Sequence, residues 1–150
     1  MGYSYQLDKE DEKKTAKAFG KEIDISPKKA NEVCYTIKGM NVDKAITYLE
    51  NVTKMKAFVP MRRYNKNVGH RKGGIPGRYP IKVAKRVIQI LKNAKANAEH
   101  KGLNDERLKI EHATAYKALS VPRLKPRNWI ANYALRDRDF TNVEIIVREV

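Results

Sequence analysis

The sequence has almost no cysteine and no long apolar run. Cys34 is the only cysteine among the 150 residues, which excludes an internal disulfide. It falls in an apolar helical stripe, so we interpret it as a small buried hydrophobe without a chemical role. No apolar run approaches the roughly 18 residues of a membrane span, and the first residues lack the apolar core of a signal peptide. We therefore expect no membrane insertion and a cytosolic location.

Acidic residues are absent from a long internal stretch. No Asp or Glu occurs at positions 51–98, whereas thirteen of the 32 Lys and Arg residues lie there. The rest of the chain is nearly balanced, with 19 basic against 17 acidic residues, and the whole chain has a net charge of +15. Evenly solvated surfaces intersperse both signs, so this segregation indicates a surface that faces phosphates. Nucleic acid is the expected partner.

Patterns that carry chemistry are missing as well. His70, His100 and His112 show no metal-ligand spacing with each other or with Cys34, and no grouping of Ser, His and an acid is apparent. The glycine-rich residues 69–74 have neither the Walker spacing nor the Lys-Ser/Thr pair that a nucleotide-binding loop requires. We therefore expect no enzyme, and hence no catalytic residue, metal, cofactor or small-molecule substrate.

Apolar residues at helical spacing predict helices at 27–38, 42–54 and 80–100. Ser26 is a natural N-cap for the first and is followed by proline, while Asn41 caps the second. The third has an apolar side and a cationic side, which indicates that it faces both the core and a charged partner.

Two-residue alternation predicts a short strand at 21–25 and long strands from 108 and over 141–150. Residues 1–20 mix both charges without apolar periodicity, and we interpret them as an exposed leader. In the strand from 108, one set of residues alternates with another: Leu108, Ile110, His112, Thr114 and Tyr116 with Lys109, Glu111, Ala113, Ala115 and Lys117. The predicted fold is thus α/β of the α+β type: one domain over 21–150, with three helices packed on a small antiparallel sheet.

Residues 118–140 separate the two long strands and are far too many for an ordinary hairpin turn. If both strands continue outward, the hairpin, at about 109–150, forms an arm that projects roughly 30 Å from the domain. A solvent-exposed tryptophan would bury no apolar area, so we expect RNA to cover Trp129 and to order the arm. The candidate arm residues are Arg123, Lys125, Arg127, Trp129, Arg136 and Arg138.

Residues 55–79 form a long glycine-containing loop without periodicity. Its Arg-Arg-Tyr at 62–64 and Arg-Tyr at 78–79 place guanidinium groups beside rings that can stack on unpaired bases. Packing of the loop by the same tyrosines is the equally favoured alternative. The candidate RNA-binding residues are Arg62, Arg63, Tyr64, Lys66, His70, Arg71, Lys72, Arg78, Lys82, Lys85, Arg86, Lys92 and Lys95.

Two ordered motifs and the basic strand-arm-strand ending carry a family resemblance. Ile-Ser-Pro-Lys-Lys-Ala at 25–30 and Asn-Ala-Lys-Ala-Asn-Ala-Glu-His at 93–100 resemble the universal large-subunit ribosomal protein twenty-two family. Arg-Arg-Tyr-Asn-Lys at 62–66 with Val-Gly-His-Arg at 68–71 is similar to the insertion of its archaeal and eukaryotic branch. The arm lacks the arginine- and glycine-rich tip common in the bacterial branch.

The resemblance implies a compact domain on the large-subunit rRNA and a hairpin that lines the polypeptide exit tunnel. It further implies neighbouring large-subunit ribosomal proteins and the nascent polypeptide as partners. Residues 118–140 would be the tip of the tunnel arm.

Two other functions remain open from the residues alone. A DNA-compacting protein would use the same charge and would bind duplex DNA as well as rRNA, although no helix-turn-helix or zinc-finger pattern supports it. An RNA-modifying enzyme would require a pocket of convergent polar groups that the sequence does not indicate.

Overall fold

The computed structural model of the protein describes residues 14–122 and 137–150. Within these ranges the helices are α1 (Pro27–Ile37), α2 (Val42–Thr53) and α3 (Ile81–His100), and the strands are β1 (Thr15–Ile23), β2 (Val59–Pro60), β3 (Gly77–Arg78), β4 (Leu108–Val121) and β5 (Arg138–Glu149). An antiparallel sheet has the strand order β1-β5-β4, and β2 and β3 form a separate two-residue ribbon. The predicted fold class, with three helices and an antiparallel sheet, is confirmed.

The turn between α1 and α2 is tied to the sheet. Gly39 follows α1 with φ of 83°, a left-handed conformation that glycine adopts without a steric penalty. Its N–H donates to the carbonyl of Ile110 at 2.8 Å, and the N–H of Ile110 donates to the carbonyl of Met40 at 2.9 Å. These two bonds fix the helical hairpin against β4.

The core lies between one face of the sheet and the helices. α1 and α3 pack directly on the sheet, whereas α2 packs chiefly against α3 and makes a smaller contact with β4. The largest fully buried apolar side chains are Ile37, Leu49, Leu91, Leu108, Ile110, Ile145 and Ile146. Each contributes about 1.5–3 kcal/mol by leaving water. A Cβ at Gly20 would lie 2.7 Å from Cδ1 of Ile90, so α3 approaches β1 closely because this position has no side chain.

A β-bulge changes the face that β4 turns to the core. Ile110 pairs with Val147 and His112 with Ile146, so Glu111 is the extra residue. An extra residue shifts the two-residue alternation by one position. The core face therefore continues through the buried Ala113 and Ala115. The predicted uninterrupted alternation is therefore wrong beyond Ile110, because His112, Thr114 and Tyr116 lie on the opposite face from Leu108 and Ile110.

β1 begins earlier than the predicted strand at 21–25. It pairs with β5 from Thr15, and Ala16 and Ala18 are buried in the core. The exposed leader predicted for residues 1–20 is therefore wrong from Thr15 onward. Its first thirteen residues lie outside the described ranges.

β4 and β5 remain paired as they leave the core. Ser120 pairs with Asp139 and Val121 with Arg138, while the side chains of Leu119 and Val121 are exposed. The root of the predicted hairpin arm is therefore a paired ribbon. Residues 123–136, with five of the six candidate arm side chains, lie outside the described ranges.

None of the described helices combines the length and the apolar character of a membrane span.

Candidate nucleic-acid interface

A buried carboxylate from α1 holds the start of the basic loop. The Glu32 side chain is 2% exposed and accepts three backbone N–H groups from consecutive loop residues. Oε2 accepts from Arg62 at 3.1 Å, and Oε1 accepts from Arg63 and Tyr64, each at 2.8 Å. Hydrogen bonds to an ionised acceptor are about twice as strong as neutral ones. Glu32 therefore fixes the backbone that carries two of the candidate arginines.

The side chains on this backbone point outward. Arg62 and Arg63 are exposed, and Tyr64 is half-buried. The Arg62 guanidinium lies 4.8 Å from the ring centroid of Tyr35, which is itself 56% exposed. Tyr64 has the Arg63 guanidinium 5.7 Å and the Lys28 ammonium 5.8 Å from its ring centroid. Cations and rings thus share one surface, an arrangement that suits phosphates and unpaired bases.

The second half of the loop is tied together by its own arginines. Nε of Arg71 donates to the carbonyl of Gly77 at 3.1 Å, and the guanidinium lies 5.0 Å from the ring centroid of Tyr79. Arg78 donates to the carbonyl of Asn67 at 3.4 Å. A Cβ at Gly77 would clash with the ring of Phe58. Arg71 and Arg78 therefore shape the loop as well as adding charge.

The candidates on α3 fall into two groups. Lys85, Arg86 and Lys92 are exposed on the outward side of the helix. Lys82 and Lys95 instead pair with acids, Lys82 with Asp24 at 2.7 Å and Lys95 with Asp43 at 2.9 Å. In the part of the chain that the structure describes, no other candidate of the RNA-binding set forms an ion pair. Their charge is available to a partner.

Asp24 joins the β1–α1 turn to α3 and to the root of the arm. Its Oδ1 accepts from Nε of Arg138 at 3.2 Å, and its Oδ2 accepts from the Arg138 guanidinium and from Lys82, each at 2.7 Å. The Arg138 hydrogen bond, followed by that of Lys82, holds the pKa of Asp24 well below its usual range. Arg138, expected on the arm, is thus held at the base of the arm by an internal ion pair.

Exposed candidates therefore cluster on the loop, with Lys66, His70 and Lys72 beside the arginines, and along the outward face of α3. Sequence reasoning missed Glu32, because its three partners lie thirty residues further along the chain. Nothing in the local pattern of α1 indicated a carboxylate that would bind backbone.

The described residues show no sign of metal or thiol chemistry. They contain no group of three or more His, Cys, Asp and Glu residues that could hold a metal ion. Burial raises the pKa of the Cys34 thiol to about 12, so this cysteine stays protonated.

The family model of ribosomal protein L22p/L17e matches residues 18–148. The chain belongs to this family. The predicted family is therefore confirmed. Because L22p/L17e proteins are structural components of the ribosome, the expectation that the chain is not an enzyme is confirmed as well.

Curated relatives carry the name "Large ribosomal subunit protein uL22". The protein of Methanocaldococcus jannaschii is 44% identical, covering 99% of this chain and 95% of the relative. That of Ignicoccus hospitalis is also 44% identical, over 99% and 96% of the two chains. The Archaeoglobus fulgidus protein is 42% identical, over 97% and 94%. The L22p/L17e similarity thus includes the basic loop and both strands of the arm root.

Proposed function

We propose that the chain is a structural constituent of the large subunit of the cytoplasmic ribosome and binds large-subunit rRNA. The binding surface, here called the basic surface, consists of the loop residues Arg62, Arg63, Tyr64, Lys66, His70, Arg71, Lys72 and Arg78 with Lys85, Arg86 and Lys92 of α3. The observation that carries the proposal is that the buried Glu32 fixes the backbone of Arg62 and Arg63, whose side chains are exposed and form no ion pair with any residue that the structure describes. Membership of a ribosomal protein family supports rRNA over other polyanions.

The mechanism is electrostatic scaffolding. Each cation that neutralises a phosphate releases a counterion, so affinity falls steeply as salt rises. A fixed backbone reduces the conformational entropy that the loop loses on binding. The basic surface thereby holds rRNA segments in place during assembly, while the remaining surface contacts neighbouring large-subunit proteins.

The hairpin arm lines the polypeptide exit tunnel. Its paired root at Val121 and Arg138 directs both strands away from the core. Arg123, Lys125, Arg127, Trp129 and Arg136 contact rRNA along the arm, and the nascent polypeptide passes it.

Sedimentation tests the subunit assignment. Lysate from cells that express a tagged chain is separated on a sucrose gradient after a moderate-salt wash, and the tag is followed by immunoblot. Retention with the large subunit is the expected result. A free or DNA-bound pool would contradict the proposal.

A photo-crosslinking residue in place of Trp129 tests the arm. On ribosomes stalled with a radiolabelled nascent chain, the expected product is a crosslink between the arm and that chain. A crosslinker at Lys44, which is exposed on α2, is the control and gives none. Equal crosslinking from both positions would contradict the assignment.

A further inference from the structure

A large open groove lies where the arm leaves the domain. It is bounded by the starts of α1 and α3, by Tyr64 of the basic loop and by the root of the arm, and it encloses about 1230 Å³. Small-molecule pockets usually enclose about 300–1,000 Å³. The groove therefore suits an extended ligand such as a short stretch of nucleic-acid strand.

Cations and aromatic rings line the groove. Lys28 and Lys29 are exposed at the start of α1, and neither forms an ion pair in the described ranges. Tyr64 and Tyr79 also line the groove, and both residues are half-buried. Phosphates can bind the two lysines while bases stack on the tyrosines.

The groove is also lined by a carboxylate, that of Asp139 at the root of the arm. Asp139 accepts a hydrogen bond from Ser120 at 2.8 Å and pairs with Lys117 at 2.8 Å, and both contacts end on Oδ1. Within the described chain, Oδ2 has no hydrogen-bond donor. The hydrogen bond from Lys117, followed by that from Ser120, lowers the pKa of Asp139, so the carboxylate stays ionised at neutral pH.

A carboxylate with one oxygen that no described donor occupies is unexpected in a groove that binds only phosphates, because it repels them. It is useful if the partner also presents hydrogen-bond donors. Exocyclic amino groups of cytosine, adenine and guanine are such donors, and carboxylates accept from them. Uracil has no exocyclic amino group.

We propose that the groove binds a single-stranded rRNA segment, with its phosphates on Lys28 and Lys29, a base on Tyr64 or Tyr79, and an amino group of an unpaired base donating to Oδ2 of Asp139. The inference rests on the proposed function and adds a base-reading site to it. The arm root is then a point of sequence discrimination, whereas the basic surface contacts the RNA backbone.

Two pyrimidine homopolymers test the base-reading step. Fluorescence anisotropy measures binding of the full chain to labelled twelve-nucleotide oligocytidylate and oligouridylate at one salt concentration. The expected preference for oligocytidylate is about tenfold, the size of one hydrogen bond to a charged group. Asp139→Ala abolishes this preference. If Asp139 acted through its charge alone, its loss would strengthen binding of both oligonucleotides equally and leave the ratio of their affinities unchanged. That result would overturn the proposal.

Lysine variants locate the site. Lys28→Ala combined with Lys29→Ala weakens binding of both oligonucleotides several-fold. Lys44→Ala combined with Lys109→Ala, exposed on α2 and β4 and outside both the groove and the basic surface, is the control and leaves binding of both oligonucleotides unchanged. If the wild-type chain prefers neither oligonucleotide but still binds rRNA in a salt-sensitive manner, the groove inference fails and the proposed function stands. Absence of any RNA binding would overturn both.

Amine acetylation of the wild-type chain tests the site without any substitution that could impair folding. Oligocytidylate should protect Lys28 and Lys29 from acetylation and leave Lys44 reactive, as read by mass spectrometry. Equal reactivity of all three lysines with and without the oligonucleotide would contradict binding in the groove.

Discussion

The Glu32 carboxylate accepts the backbone N–H of Arg63 at 2.8 Å, so a buried acid holds the loop that carries the exposed cations. The two residues lie on different elements, α1 and the basic loop. Their contact explains how a loop whose only regular structure is the short β2–β3 ribbon can present arginines in a fixed arrangement. It also makes the stability of the domain depend on a residue that is buried beneath these exposed cations.

Replacing Glu32 with alanine should lower the free energy of unfolding by about 2–4 kcal/mol, because three N–H groups lose a charged acceptor in a buried place. Urea denaturation measures this change. Glu50→Ala, an exposed Glu on α2, is the matched control, and its effect should stay within about 0.5 kcal/mol. Equal effects of the two substitutions would show that Glu32 does not anchor the loop.

The Asp24 ion pairs should stabilise the domain in a pH-dependent way. Its pKa is lowered in the folded state, so the stabilising effect is complete above the unfolded value of about 4 and is lost as pH falls through the folded value. Wild-type and Asp24→Asn chains should therefore differ in urea midpoint at pH 7 and pH 5, and the difference should shrink below pH 4. The difference is small, because the pair is exposed.

Hydrogen exchange shows where the Asp24 effect acts. At pH 7, Asp24→Asn should accelerate amide exchange near Arg138, at the arm root, and leave the centre of β5 protected. Asp43→Asn, which removes the exposed pair with Lys95, is the control and should not alter exchange at the arm root. Unchanged exchange near Arg138 in the Asp24 variant would show that the ion pair between Asp24 and Arg138 does not stabilise the arm root.

His112 should make the domain less stable in mild acid. Burial lowers its pKa first, with Lys38 adding to the effect and Glu144 and Glu111 opposing it. The unfolded chain then gains a proton near pH 6.5 that the folded chain takes up only at lower pH, so stability falls as pH drops from about 6.5. Urea midpoints at pH 7.5 and 5.5 measure this loss, and His112→Gln should reduce it. A variant with the wild-type pH dependence would contradict the assignment.

Local signals in the sequence predicted the helices well. Observed α1, α2 and α3 each differ from the predicted ranges by only one residue at one end. The agreement is close because helices are specified by capping residues and apolar spacing, which act within a few positions of each other. The strands were harder. The start of β1 consists of small and charged residues, which give no clear alternation. In β4 the bulge at Glu111 changes which residues face the core, and the position of the bulge is determined only by the pairing with β5.

The candidate site was predicted as a surface but not in its internal contacts. Segregated charge located the basic loop and α3. It could not show that Lys82 and Arg138 pair with Asp24, since these residues meet only in the folded chain. For the same reason the sequence did not indicate a role for Glu32, although Glu32 positions the backbone of Arg62 and Arg63.

The salt dependence of binding to a large-subunit rRNA fragment tests the central claim most directly. The logarithm of affinity is plotted against the logarithm of salt concentration for the wild type, for Arg62→Ala with Arg63→Ala, and for the charge-matched control Lys44→Ala with Lys109→Ala. Each lost phosphate contact lowers the slope by about 0.7–0.9, so the arginine variant should lose about 1.5 and the control nothing. Equal slopes for the two variants would contradict the account.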